Sequence, residues 1–181
     1  MTTSQRGRLL VATPEMGDPN FDRSVVFIVE HNADGALGVV LNQPTGIAVA
    51  DALPRWASAV TSPAELFRGG PVGTDALLGL MVADPLDPPA GFVPAHGAIG
   101  TIDLEQAPDD STYRARVFSG YSGWAAGQLD AELLADAWHP VDARPGDIVH
   151  REPDRLWFDV LGRQRGKLRL LANYPDDPRV N

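Results

Sequence analysis

Glycine and proline constrain this chain more than any other residues, with 18 of the first and 16 of the second among 181. Either one weakens the interior of a helix or strand, so a chain broken this often folds into many short elements. The apolar stretches between the breaks decide which elements form. Residues 24–30 are a run of β-branched and aromatic side chains, the pattern of a strand covered on both faces. Asn32-Ala33-Asp34-Gly35 follows, where Asp-Gly supplies the positive φ angles of a tight turn, and residues 36–41 run back as the partner. Residues 25–29 and 37–41 are therefore predicted to form a central antiparallel hairpin.

Further strands are predicted at 9–12, 76–83 and 97–103, with loops at 13–22 and at 84–94, which holds four prolines. A short helix at 48–56 is interrupted by Pro54. Residues 112–119 alternate, with Tyr113, Ala115 and Val117 on one face and Arg114, Arg116 and Phe118 on the other. The period then changes, and residues 124–137 read as an amphipathic helix. A short strand is expected at 147–150. Asp154 is placed as the N-cap of a helix over 155–161 that Gly162 ends. Residues 167–173 form a last helix or extended segment, and 174–181 a polar tail. Strands cluster in pairs, which predicts a single compact α+β domain over 1–181 with a mixed, mostly antiparallel sheet.

Charge and composition exclude several kinds of chemistry. A net charge of −9 disfavours non-specific contact with nucleic acid or anionic membrane. Without cysteine there is no disulfide, thiolate zinc site or iron–sulfur cluster. The first residues hold too short an apolar stretch for a signal peptide, and no segment is long enough to span a membrane, so the chain is read as cytoplasmic. His31, His96, His139 and His150 lack the close spacing of a helical metal pair, and no metal or cofactor is expected. Glu30 and His31 are neighbours on a strand and point to opposite faces.

Gly120-Tyr121-Ser122-Gly123-Trp124 lies between a predicted strand and a predicted helix, the setting of a hydrolase nucleophile elbow. Trp124 stands where that motif needs a small residue. The segment is read as a strand-to-helix turn with Ser122 capping the helix, without nucleophilic chemistry. Arg68-Gly69-Gly70-Pro71 lacks the lysine of a phosphate loop and is read as a tight turn. Arg163, Arg165, Lys167 and Arg169, at alternate positions of an extended segment, form the one basic cluster that nucleic acid could use.

The loop 13–23 differs in kind. Pro14 and Pro19 stiffen it, and Met16, Asp18, Asp22 and Arg23 set polar and charged groups beside the buried hairpin. Arg23 is expected to pair structurally, and the edge from Met16 to Asp18 to bind. From Leu9 through this loop to Asn32, again at residues 35–44 and 69–72, and at 120–129 with Glu132-Leu133 and Ala137-Trp138 after it, the sequence closely resembles the YqgE/AlgH family (UPF0301). The resemblance implies a bacterial cytosolic protein whose sheet is bent into a barrel-like or sandwich form with helices packed on it. It implies no reaction, although some members are labelled transcriptional regulators.

The functional expectation is a non-enzymatic regulatory or interaction module with a protein partner or small ligand. Its surface is expected to draw on Pro14, Met16, Asp18, Arg23 and His31 with the Gly69, Gly70, Pro71 turn. Gly120, Tyr121, Trp124 and Gln128 complete it. The alternative is a small-molecule enzyme using a cleft near Asp18, Arg23, Glu30 and His31.

Overall fold

The computed structural model describes residues 3–14, 16–106, 108 and 113–173; the predicted tail at 174–181 lies outside them. Along these residues run β1 (Arg8–Ala12), β2 (Val25–Asn32), β3 (Gly35–Val40), β4 (Pro44–Ala48), α1 (Val49–Ala52), β5 (Glu65–Arg68), β6 (Val72–Val82) and β7 (Phe92–His96). They are followed by β8 (Ile99–Ile102), β9 (Arg114–Ala125), α2 (Gln128–Leu134), β10 (Trp138–Asp142), α3 (Pro145–Ile148), α4 (Pro153–Gly162) and α5 (Lys167–Leu171). Eight strands form one curled half-barrel sheet in the order β10-β1-β2-β3-β9-β6-β8-β7. Strand β5 pairs in parallel with β9, and β4 pairs with β5; the other pairings among the described residues are antiparallel. Each edge strand carries a proline, Pro140 in β10 and Pro94 in β7, where a missing N–H costs no ladder bond.

The predicted hairpin is present, with Val26 opposite Val40 and Phe27 opposite Val39. Its turn differs from expectation. Ala33 and Asp34 occupy the two central positions without positive φ, and the Asn32 side chain holds the turn by accepting the Asp34 N–H at 2.8 Å. Gly35 is left to meet β9, where a Cβ would overlap the Trp124 carbonyl oxygen.

Alternation along these strands divides the core into layers. Leu9, Val11, Val25, Phe27, Val39 and Leu41 face one cluster, which Leu156, Trp157, Val160 and Leu161 of α4 complete. The same cluster takes Ile99 from β8 and Val141 from β10, so it fills the inside of the curl. Leu10, Val26, Ile28 and Val40 face the other way, against Trp124, Leu129 and Trp138. A sheet covered on both faces is why its strands read as unbroken apolar runs.

Several boundaries depart from expectation. Strand β9 does not turn at Gly120 but continues to Ala125, and the helix begins only at Gln128, behind Gly127 at φ 73°. Gly120, at φ 73°, marks where β9 exchanges partners: Phe118 and Ser119 pair with β5, and residues 122–125 with β3. Residues 147–150 are not a strand. Pro145 starts the short helix α3, and the Asp147 carboxylate accepts the Arg144 N–H at 2.7 Å. Asp154 is not the N-cap of α4, because Pro153 already occupies its first turn with φ preset for a helix. Strand β7 takes in the last residues of the predicted loop 84–94, and 167–173 resolves as the helix α5.

Candidate functional site

The loop after β1 is built by its own polar groups. Asp18 Oδ1 accepts the Asn20 backbone N–H at 2.9 Å and its side-chain amide at 3.0 Å. The Phe21 carbonyl accepts both the N–H and the hydroxyl of Ser24. Gln43 Nε2 donates to the Asn20 carbonyl, and Asn42 Nδ2 to that of Arg23, so the residues after β3 clamp the loop. A loop fixed in this way holds its exposed edge at little further entropic cost.

Opposite that edge stand the end of β9, α2 and the start of β10. Between the two walls lies a cavity of about 420 Å³. Met16, Asp18 and Phe21 form one side of it, and Trp124, Gln128 and Trp138 the other. Glu132 ties the second wall together. Its Oε2 accepts both indole N–H groups, Trp124 Nε1 and Trp138 Nε1, each at 2.8 Å, and its Oε1 accepts Gln128 Nε2 at 3.0 Å. Gln128 Oε1 in turn accepts the Ala125 N–H. The Trp138 ring meets Trp124 and Phe21 edge-on, at centroid distances of 6.1 and 5.4 Å. Helix α2 ends in a Schellman arrangement, with Asp136 N–H bonded to the Leu133 carbonyl and Ala137 N–H to that of Glu132. This places Asp136, at φ 55°, on the cavity wall.

Of the residues singled out in the sequence, Met16, Asp18, Trp124 and Gln128 meet in this cavity. Pro14 lines a separate hollow with His139, Arg165 and Lys167. Arg23 is turned away: its guanidinium stacks 5.3 Å from the rings of both Trp157 and Phe158. His31 Nδ1 accepts the Gln5 N–H, and its Nε2 lies 3.6 Å from Asp130, whereas Glu30 faces Arg6. The enzyme cleft expected from Asp18, Arg23, Glu30 and His31 is therefore not assembled. Those four side chains engage different partners.

The glycine turn is architectural. A Cβ on Gly69 or Gly70 would overlap the backbone of Gly120 or Tyr121, so these glycines let β5 and β9 approach closely. Pro71 is exposed beyond them. Ser122 caps nothing; it lies fully buried in β9 and donates to the Gly69 carbonyl at 3.1 Å. The basic stripe also dissolves. Arg163 is held by both oxygens of Asp147, at 2.6 and 2.7 Å, while Lys167 and Arg169 lie on a helix, where alternate residues do not share a face. Among the described residues Arg116 is the most enclosed cation, and burial draws its guanidinium down to about 10 despite the nearby Glu65 charge. It donates to the carbonyls of His150 and Ser62 and stacks on Phe67, a structural placement.

Sequence reasoning missed Phe21, Glu132, Asp136 and Trp138 as site residues. One usable signal was a pair of tryptophans flanking a short acidic helix, with Glu132 between them. Extending that helix to cover Trp124 hid the signal.

Comparison with known proteins gives a consistent picture. The family model described as AlgH-like (DUF179) matches residues 9–169. A UPF0301 protein of Streptomyces avermitilis is 47% identical over 186 residues, covering 99% of this chain and 96% of its own. One from Thermobifida fusca is 43% identical, covering 98% and 96%. The crystal structure of a Corynebacterium diphtheriae protein superposes with a TM-score of 0.88 at 29% identity, over 94% of this chain and 93% of that one. The solution structure of the AlgH protein from Pseudomonas aeruginosa gives 0.67 at 27% identity, over 98% and 100%.

Proposed function

The chain belongs to the AlgH-like, UPF0301 family, and from that premise we propose that it is a non-enzymatic regulatory module of the cytosol that works by binding. Its binding site is the cavity between the loop after β1 and α2. The observation that carries this reading is the convergence of Met16, Asp18, Trp124 and Gln128 on one cavity whose wall is fixed by Glu132. Aromatic walls with a few oriented polar groups are the usual composition of a ligand pocket. Ser122 supports binding over chemistry, since a buried hydroxyl committed to a carbonyl is a poor nucleophile. Among the described residues no helix is long and apolar enough to cross a membrane, which is compatible with the cytosolic assignment.

The test is a thermal-shift screen of a metabolite library against the wild type and Ala137→Leu. Ala137 lines the cavity and its methyl packs against the cluster that holds Trp124 and Trp138, so leucine there extends into that space. A ligand at 100 times its dissociation constant stabilises by about 2.7 kcal/mol, which raises Tm by about 5–10 °C in a domain of this size. The expected result is at least one such ligand for the wild type and none for the plugged variant. Ligands that stabilise both proteins equally would remove the cavity from the account.

A further inference from the structure

The sign of the cavity wall narrows what it can hold. Asp18, Glu132 and Asp136 line it, and among the described residues no lysine, arginine or histidine does. Among the described residues none of these three carboxylates forms an ion pair. Glu132 is anchored only by neutral donors, which fix its position and leave its charge in place. Asp18 spends Oδ1 on Asn20 and keeps Oδ2 without a partner among the described residues. The acidity is local and does not simply follow the net charge of the chain, because the hollow on the other side of Thr13 is lined by Arg165, Lys167 and His139.

The remaining wall suits a cation with an apolar body. Trp124, Trp138 and Phe21 supply aromatic rings, whose negative faces attract ammonium and guanidinium groups, and Met16 adds a polarizable side chain. Thr13, a further wall residue only 4% exposed, has a buried hydroxyl oxygen without a hydrogen-bond partner among the described residues, between this cavity and the basic hollow. A volume of about 420 Å³ is at the small end for ligand pockets and limits that occupant to a compact molecule.

We propose that the cavity binds a small organic cation, a protonated amine on a short apolar or aromatic body, with the ammonium group against Glu132 and Asp18 and the body against the tryptophans. This inference rests on reading the cavity as the binding site, and the experiment separates the two. Calorimetric titration uses three probes of similar shape: 2-phenylethylamine, 2-phenylethanol and 3-phenylpropionate. The amine is expected to bind the wild type about tenfold tighter than the alcohol, with the carboxylate weakest. Glu132→Gln keeps an oxygen for both indoles and removes the charge. It is expected to lower amine affinity about tenfold while leaving that of the alcohol within about twofold. Asp18→Asn gives the same pattern more weakly and serves if Glu132→Gln does not fold.

Equal affinities for the three probes, or tighter binding of the alcohol or carboxylate, would overturn the cation and leave the binding cavity standing. Failure of the amine to bind, when library ligands still distinguish the wild type from Ala137→Leu, would have the same effect. Amine binding that Ala137→Leu does not weaken would sink both readings.

Discussion

Replacing Glu132 with alanine removes one carboxylate and strands two buried donors. Trp138 is 2% exposed and Trp124 7%, and both indole N–H groups depend on Glu132 Oε2 at 2.8 Å. A buried donor left without a partner costs about 1–3 kcal/mol. Two of them, partly recovered by water in the cavity, amount to about 3 kcal/mol, or a fall in Tm of about 6–12 °C for a domain of this size. Glu132→Gln is the informative control. Its carbonyl oxygen can take the Oε2 position and accept both indoles, which leaves the lost bond from Gln128 as the main cost, about 1 kcal/mol and 2–4 °C. Thermal unfolding followed by circular dichroism, with the near-ultraviolet tryptophan signal recorded below the transition, reads both variants. Alanine and glutamine variants that melt together, or an alanine variant within about 2 °C of wild type, would refute the claim that this carboxylate organises the wall.

Three further expectations follow from the same geometry. Arg163→Ala leaves Asp147, 3% exposed, with the Arg144 N–H as its remaining donor, and should cost about 3–5 kcal/mol in urea unfolding; a loss below about 1 kcal/mol would contradict the placement. Ser122→Ala should cost only about 1 kcal/mol, because Gly69 O also accepts Val40 N–H, and the wild-type serine should resist a fluorophosphonate probe; labelling of Ser122 would restore a nucleophilic reading. The Arg116 guanidinium, drawn by burial to about 10, binds its proton less tightly in the folded chain than in the unfolded one. That penalty is present at neutral pH and is relieved as the pH rises through 10. The stability of the wild type relative to Arg116→Met should therefore stay level up to about pH 9 and increase above about pH 10, and a constant difference would contradict the burial argument.

The parts of the fold legible in the sequence are those governed by local pattern. The β2–β3 hairpin is signalled by two apolar runs around a turn, and the alternation at 114–118 correctly separates Ala115 and Val117 from Phe118. Segments whose conformation is decided by distant partners were not legible. Residues 120–125 contain three glycine or serine positions that suggest a turn, yet pairing with β3 on one side and the close approach of Gly69 and Gly70 keep them extended. Strand β10, with His139 and Pro140, gives almost no strand signal alone and exists because β1 offers an edge. The candidate site shows the same division. Met16 and Asp18 stood out because a stiff polar loop beside a buried hairpin is unusual. Glu132 was marked only by the two tryptophans that flank its helix, and its role appears once strands that lie far apart in the sheet order bring those tryptophans together.

The four tryptophans give the most direct test of the central claim, that the cavity beside α2 is where this protein binds. Each indole N–H has a defined acceptor: Glu132 for Trp124 and Trp138, the Leu104 carbonyl for Trp56, and the Ala12 carbonyl for Trp157. In a nitrogen–proton correlation spectrum assigned by single tryptophan-to-phenylalanine variants, titration with 2-phenylethylamine should move the Trp124 and Trp138 indole signals together along one binding curve. The Trp56 and Trp157 signals should stay fixed. Movement of Trp56 or Trp157 without the other pair would contradict it, whereas four unmoved signals at millimolar amine would contradict the organic cation alone.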